Sequence, residues 1–74
     1  DSFMRKNYLR FASLTKSEKE ILQLIASGYS NQEVADLRFN SIATIQTHRR
    51  NIKRKLDAKH FRDLLRYAQA FDLV

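Results

Sequence analysis

Cysteine and proline are absent from these 74 residues, and glycine occurs once, at Gly28. Without cysteine there are no disulfides and no thiolate metal sites, a composition that fits a reducing compartment. A β-rich domain needs repeated turn residues, so the scarcity of glycine and proline favours helices joined by short connections. No apolar run approaches the roughly 20 residues needed to cross a bilayer, and no stretch reads as a signal peptide. The first residue is Asp1 rather than methionine, as expected of a fragment from a longer protein. This length suits one domain, near the lower limit for a self-sufficient core.

What the chain does have is positive charge in one place. The formal net charge is +6. Residues 41–56 hold Arg49, Arg50, Lys53, Arg54 and Lys55 with no acid, while the remaining segments nearly cancel. A concentrated basic stretch is the expected footprint for a phosphate polyanion, and a solvated helix face is the plain alternative.

Helix signals punctuate the chain. Thr15 followed by Glu18 fits a capping box. Behind it Ile21, Leu22, Leu24 and Ile25 form an apolar stripe at helical spacing, and Gly28 supplies a left-handed stop. The spacing predicts a helix over 16–27. Ser30 and Glu33 repeat the box and predict a short helix over 30–37, with Val34, Ala35 and Leu37 facing inward. Arg38, Phe39 and Asn40 then make a turn. Asn40 or Ser41 caps a third helix over 41–56, whose buried stripe is Ile45, Ile52 and Leu56. Its opposite face carries Ala43, Gln46, Thr47, Arg50, Lys53 and Arg54. Asp57, Ala58 and Lys59 break the pattern. A fourth helix over 60–72 starts at His60, with Asp63 in its first turn and Leu64, Leu65, Ala68 and Phe71 as apolar positions. Residues 1–13 are expected to be a linker or a leading helical turn, and 14–74 the domain proper.

Two capped helices joined by a short turn, the second of them basic, is the helix-turn-helix arrangement. In that arrangement the helix at 30–37 lies across the DNA backbone and 41–56 enters the major groove by its N-terminal half.

The residues go beyond the generic pattern. Leu14-Thr15 with Glu18, Glu20, Ile21 and Leu22, then Ile25-Ala26, Gly28 and Ser30-Asn31-Gln32-Glu33-Val34-Ala35, resemble the LuxR/FixJ/GerE-type domain. The likeness continues through Ser41, Thr44-Ile45, Thr47-His48-Arg49, Asn51-Ile52, Lys55-Leu56 and Tyr67-Ala68, covering about residues 14–70. It implies an all-α, compact four-helix bundle that binds double-stranded DNA as the output domain of a bacterial transcription regulator. Base-edge contacts are implied for Gln46, Thr47 and Arg50. Phosphate contacts are implied for Ser30, Asn31, Thr44, Arg49, Lys53 and Arg54, and Lys55 adds long-range attraction. The helix at 60–72 resembles the family's dimerisation helix, which implies a homodimer through Leu64, Leu65, Ala68 and Phe71. The resemblance further implies a receiver or sensor domain outside this chain, RNA polymerase as a partner, no cofactor, no membrane, and a cytoplasmic place beside the nucleoid.

The chain departs from the family at five positions. Arg38 stands where a leucine is usual and Asn40 where an aliphatic residue is usual, with Leu37 and Phe39 expected to supply the missing apolar surface. Gln46 replaces a lysine. A glutamine amide pairs with adenine N6 and N7, where lysine favours guanine. Asp57 replaces a glycine and His60 a capping serine.

His48 has no second histidine, cysteine or carboxylate at ligand spacing, so packing or a phosphate hydrogen bond is its expected role. His60 reads as a helix cap. There is no glycine-rich phosphate loop and no organised nucleophile, and catalysis is not expected. Two other functions share the charge pattern: a protein-interaction module docking its basic helix on an acidic partner, and a structured-RNA binder. The second lacks exposed aromatic stacking residues on the basic helix.

Overall fold

The computed structural model describes residues 2–74. Five helices and no strand occur among the described residues, in the order α1 (Ser2–Ala12), α2 (Lys16–Ala26), α3 (Asn31–Arg38), α4 (Ile42–Leu56) and α5 (Phe61–Ala70). α2 packs against α3, α4 and α5, while α1 lies across α4 and α5. The core is one cluster contributed mainly by Ile21, Leu22 and Ile25 of α2, Val34 of α3, Ile45, Ile52 and Leu56 of α4, and Leu64 and Tyr67 of α5. Each such aliphatic side chain withdrawn from water contributes about 1.5–3 kcal/mol. The order of the last four helices is therefore set by where their apolar stripes meet.

The helix starts follow the polar residues ahead of them. Thr15 Oγ1 accepts the Glu18 amide at 3.1 Å, and a Glu18 carboxylate oxygen accepts the Thr15 amide at 2.8 Å. Ser30 and Glu33 make the same pair of bonds at 3.1 and 2.9 Å. Ser41, not Asn40, caps α4, its hydroxyl accepting the Thr44 amide at 3.1 Å. At α5 His60 holds the N-cap position without a side-chain bond. Asp63 caps this helix from inside its first turn, accepting the amides of both Lys59 and His60.

The ends of α2 to α5 share one device. Tyr29, Asn40, Ala58 and Leu73 each donate an amide back to the carbonyl five residues earlier. The residue ahead of each has a positive φ: Gly28 at 99°, Phe39 at 56°, Asp57 at 52° and Asp72 at 59°. This is the left-handed stop that glycine makes without strain. One glycine and three side-chain-bearing residues make it here, so three of the four stops carry a conformational cost.

One expectation is extended and one corrected. Residues 2–12 form a three-turn helix, giving five helices rather than four. Phe3, Asn7 and Phe11 occupy its inner face, and the polar middle member interrupts the apolar spacing that would have announced it. Asn7 is satisfied internally, donating to the Phe3 carbonyl at 2.9 Å and accepting the Tyr67 hydroxyl at 3.0 Å. Phe11 stacks on Phe71 with ring centres 4.1 Å apart. At the helix-turn-helix turn, Leu37 is 54% exposed and Phe39 94% exposed, so neither replaces the apolar surface of a leucine at position 38. Arg38 itself fills the place, turning inward to a carboxylate of α2 at 2.6 Å.

Candidate nucleic-acid interface

α4 is a helix with four distinguishable sides, because at about 3.6 residues per turn its sequence positions sort by angle. Ile45, Ile52 and Leu56 form the inner stripe and are fully buried. Directly opposite stand Ala43, Thr47, Arg50 and Arg54, all exposed. One flank, carrying Gln46, Arg49 and Lys53, faces the start of α3. The other carries Thr44, His48, Asn51 and Lys55.

The flank toward α3 forms a shallow cleft of about 260 Å³ lined by Asn31, Gln46, Arg49, Arg50 and Lys53. Asn31 is the first residue of α3, so the cleft opens on a helix N-terminus whose leading amides have no intrahelical acceptor. The Asn31 side-chain carbonyl is buried without a hydrogen-bond partner among the described residues. Ser30 stands at the same end. Its hydroxyl already accepts the Glu33 amide, and its one proton remains to be donated. Three cations, two side-chain amides and a helix terminus thus converge on one concavity, an arrangement suited to an oxyanion.

The opposite flank forms a second notch of about 270 Å³, lined by Ala43, Thr44, Thr47, His48 and Asn51. Thr44 is half-buried, with its hydroxyl 3.0 Å from that of Ser41. Asn51 was not among the sequence candidates. It lies four residues after Thr47 and seven after Thr44, and that spacing alone places it on their side.

Charge on α4 divides into two classes. Arg49, Arg50, Lys53 and Arg54 make no ion pair among the described residues. Lys55 differs: its ammonium lies 2.7 Å from the Glu18 carboxylate of α2, a side chain only 5% exposed. Its positive charge is thus paired with a carboxylate of the same domain. Burial pushes the Glu18 carboxyl up, but the hydrogen bonds from Lys55 and the Thr15 amide outweigh it, and its pKa lies below the ordinary value. The Arg38 guanidinium lowers that of Glu20.

The four residues expected at a dimer contact do not stay together. Leu64 and Ala68 are fully buried within the domain, and Phe71 is covered by Phe11 of α1. Only Leu65 keeps a half-exposed side chain with no such cover. α2 and α1 consume the apolar stripe of α5, leaving Phe61 and Leu65 as the apolar residues of its outer side. His48 and His60 belong to no cluster of potential metal ligands among the described residues.

A model of the family described as bacterial regulatory proteins, luxR family, matches residues 12–68. The chain belongs to this family. The oxygen regulatory protein NreC of Staphylococcus haemolyticus is 45% identical over 58 residues, covering 78% of this chain and 27% of that protein. The response regulator protein VraR of Staphylococcus aureus is 41% identical over 71 residues, 96% of this chain and 34% of that protein. The chain thus spans about a third or less of the relatives it matches. This LuxR-type helix-turn-helix is that of DNA-binding transcription regulators, and α1 lies almost wholly ahead of the family match. No helix among the described residues is long and apolar enough to cross a membrane.

Proposed function

We propose that this LuxR-type domain reads duplex DNA by sequence, with the N-terminal half of α4 in the major groove. The observation that carries the proposal is the outer side of α4. Thr47 and Arg50 stand exposed beside Gln46, free of internal partners, while cations on the same helix converge with the start of α3. Gln46, Thr47 and Arg50 meet base edges in this proposal. Arg49, Lys53 and Arg54 meet phosphates, joined by Asn31, the Ser30 hydroxyl and Thr44. Small Ala43 and Thr47 let the helix sit deep.

The domain acts as one half of a homodimer, with α5 as the contact and Phe61 and Leu65 in place of the buried Leu64 and Ala68. Two recognition helices then fall in successive major grooves about 10 base pairs apart. The likeness to a response regulator supports a place at the output end of a longer regulator, with a receiver domain outside this chain. It also supports action on transcription beside RNA polymerase in the bacterial cytoplasm. Residues 14–74 are the DNA-reading unit, and α1 braces it.

Selection from a random duplex library at moderate salt, repeated with Arg50→Ala, tests the proposal. An enriched motif that loses preference at one base step in the variant supports base reading, with a cost of about 1–3 kcal/mol. Equal loss on every sequence reduces Arg50 to a phosphate contact. Absence of any enriched motif refutes sequence reading by this domain.

A further inference from the structure

α2 reaches both helices of the helix-turn-helix with a carboxylate. Glu20 meets Arg38 in the last turn of α3 at 2.6 Å, and Glu18 meets Lys55 in the last turn of α4 at 2.7 Å. The third ion pair among the described residues, Arg10 with Asp57, is looser at 3.8 Å and more exposed. We propose that Glu18 and Glu20 are positioning residues for DNA recognition, fixing the pose of α4 and α3 relative to each other. The inference rests on the DNA-reading role proposed above.

Three observations support it. First, both pairs hold the C-terminal ends of helices whose N-terminal halves face the duplex. Helices are stiff, so a shift at Arg38 is carried about 10 Å along α3 to Asn31, and one at Lys55 about 12 Å along α4 to Thr47. Second, neither pair is a simple gain in stability. Arg38 Nε is buried without a partner, and Glu18 is the one buried charged side chain among the described residues. Buried ion pairs seldom outdo apolar residues of similar volume, and a pair whose Glu20 side chain is 45% exposed contributes little, so an orienting role explains better why these charges are there. Third, the Glu18 oxygen that accepts Lys55 also accepts the Thr15 amide. The start of α2 and the end of α4 therefore share one atom and move together.

Charge alone makes the opposite prediction, which gives the test its edge. Removing a carboxylate from a protein that binds a polyanion strengthens binding if electrostatics is all that matters. Glu18→Gln, Glu20→Gln and the double variant Glu20→Gln with Arg38→Leu are titrated by fluorescence anisotropy against a selected duplex and a scrambled one. All are measured at a temperature where circular dichroism shows each variant folded. The two single variants should bind the selected duplex about three- to tenfold more weakly while binding the scrambled duplex no more weakly. Their discrimination ratio falls. The double variant should recover the ratio, because leucine in that place packs without needing a partner. A purely structural role lowers thermal stability and leaves the ratio alone. An unchanged ratio in folded Glu18→Gln and Glu20→Gln therefore overturns the inference, as does failure of the double variant to recover it. Absence of discrimination in the unsubstituted protein removes the DNA-reading role itself, and is told apart by that one measurement.

Discussion

Under the proposed DNA-reading role, substituting the cations of α4 one at a time separates those directed at DNA from the one paired within the domain. Of its five, Lys55 is held by Glu18. With Arg50 directed at bases, Arg49, Lys53 and Arg54 are left for phosphates. Each phosphate neutralised contributes a slope of about −0.9 to log K against log salt concentration. Three contacts give about −2.7 for one protomer and about −5.4 for a pair on two half-sites. Raising salt fourfold then weakens binding roughly 40-fold for one protomer and on the order of a thousandfold for the pair. Lys53→Gln or Arg54→Gln should each lower the magnitude of the slope by about 0.9 per protomer. Lys55→Gln should leave the slope unchanged, although affinity falls as the last turn of α4 loosens from α2. Anisotropy titrations of a fixed duplex across a salt series read slope and intercept separately. A slope for Lys55→Gln reduced as much as that for Arg54→Gln refutes the reasoning, since it means the Glu18 pair opens on the DNA.

Three other perturbations bear on the fold. Phe39→Asn should stabilise by about 1 kcal/mol, because asparagine tolerates a left-handed backbone better and a side chain 94% exposed has almost no packing to lose; unchanged or lowered thermal stability contradicts this. Phe11→Ala should cost about 3 kcal/mol and lower the melting temperature by roughly 12–24 °C, and a loss below about 1 kcal/mol would mean that α1 does not share the core. Glu18, Glu20, Glu33 and Asp63 all titrate below their ordinary values, Glu33 through the Ser30 amide and Asp63 through the His60 and Lys59 amides. A depressed folded-state pKa contributes stability that is complete above the unfolded value, 4.5 for glutamate, and is lost as pH falls through the folded value. Melting temperature should therefore be insensitive to these groups at neutral pH and fall below about pH 4.5, and a stability that rises on acidification would reverse the sign.

Where the sequence was legible, the signal was local and chemical. Thr15 with Glu18 and Ser30 with Glu33 announce their helices because hydroxyl, amide and carboxylate lie within one turn of each other. Ile45, Ile52 and Leu56 announce the inner side of α4, and its outer side follows by geometry. The same logic places Gln46, Thr47 and Arg50 outward, where the structure has them exposed. Legibility fails where partners are distant in the chain. Asn7 looks like a break in an apolar pattern until the Tyr67 hydroxyl, sixty residues away, is seen to donate to it. Lys55 looks like one more cation on a basic face until Glu18 is brought beside it. Helix ends fail for another reason. A rule that seeks glycine finds the stop at Gly28 and misses the same geometry at Phe39, Asp57 and Asp72. At those three stops the backbone bond from the following amide to the carbonyl five residues back accompanies the left-handed residue, and no residue type announces it.

The ion pairs of α2 answer a need that the apolar core leaves open. Ile45, Ile52 and Leu56 lie on one narrow stripe of α4, and apolar contact has no direction of its own. Such a stripe fixes how near the helix lies to α2, but it resists rolling about the helix axis only weakly. At a helix radius, side chains included, of about 5 Å, a roll of about 20° about the axis moves the outer groups by nearly 2 Å. Hydrogen bonds to base edges are made and lost over less than that. Lys55 sits on the flank of α4, a quarter turn from the core stripe, where a bond to Glu18 opposes roll most effectively. Arg38 lies on the inner stripe of α3 itself, so its bond to Glu20 ties the last turn of that helix to α2. In the proposed reading the core holds the helices in place, and the carboxylates of α2 set how they face the DNA.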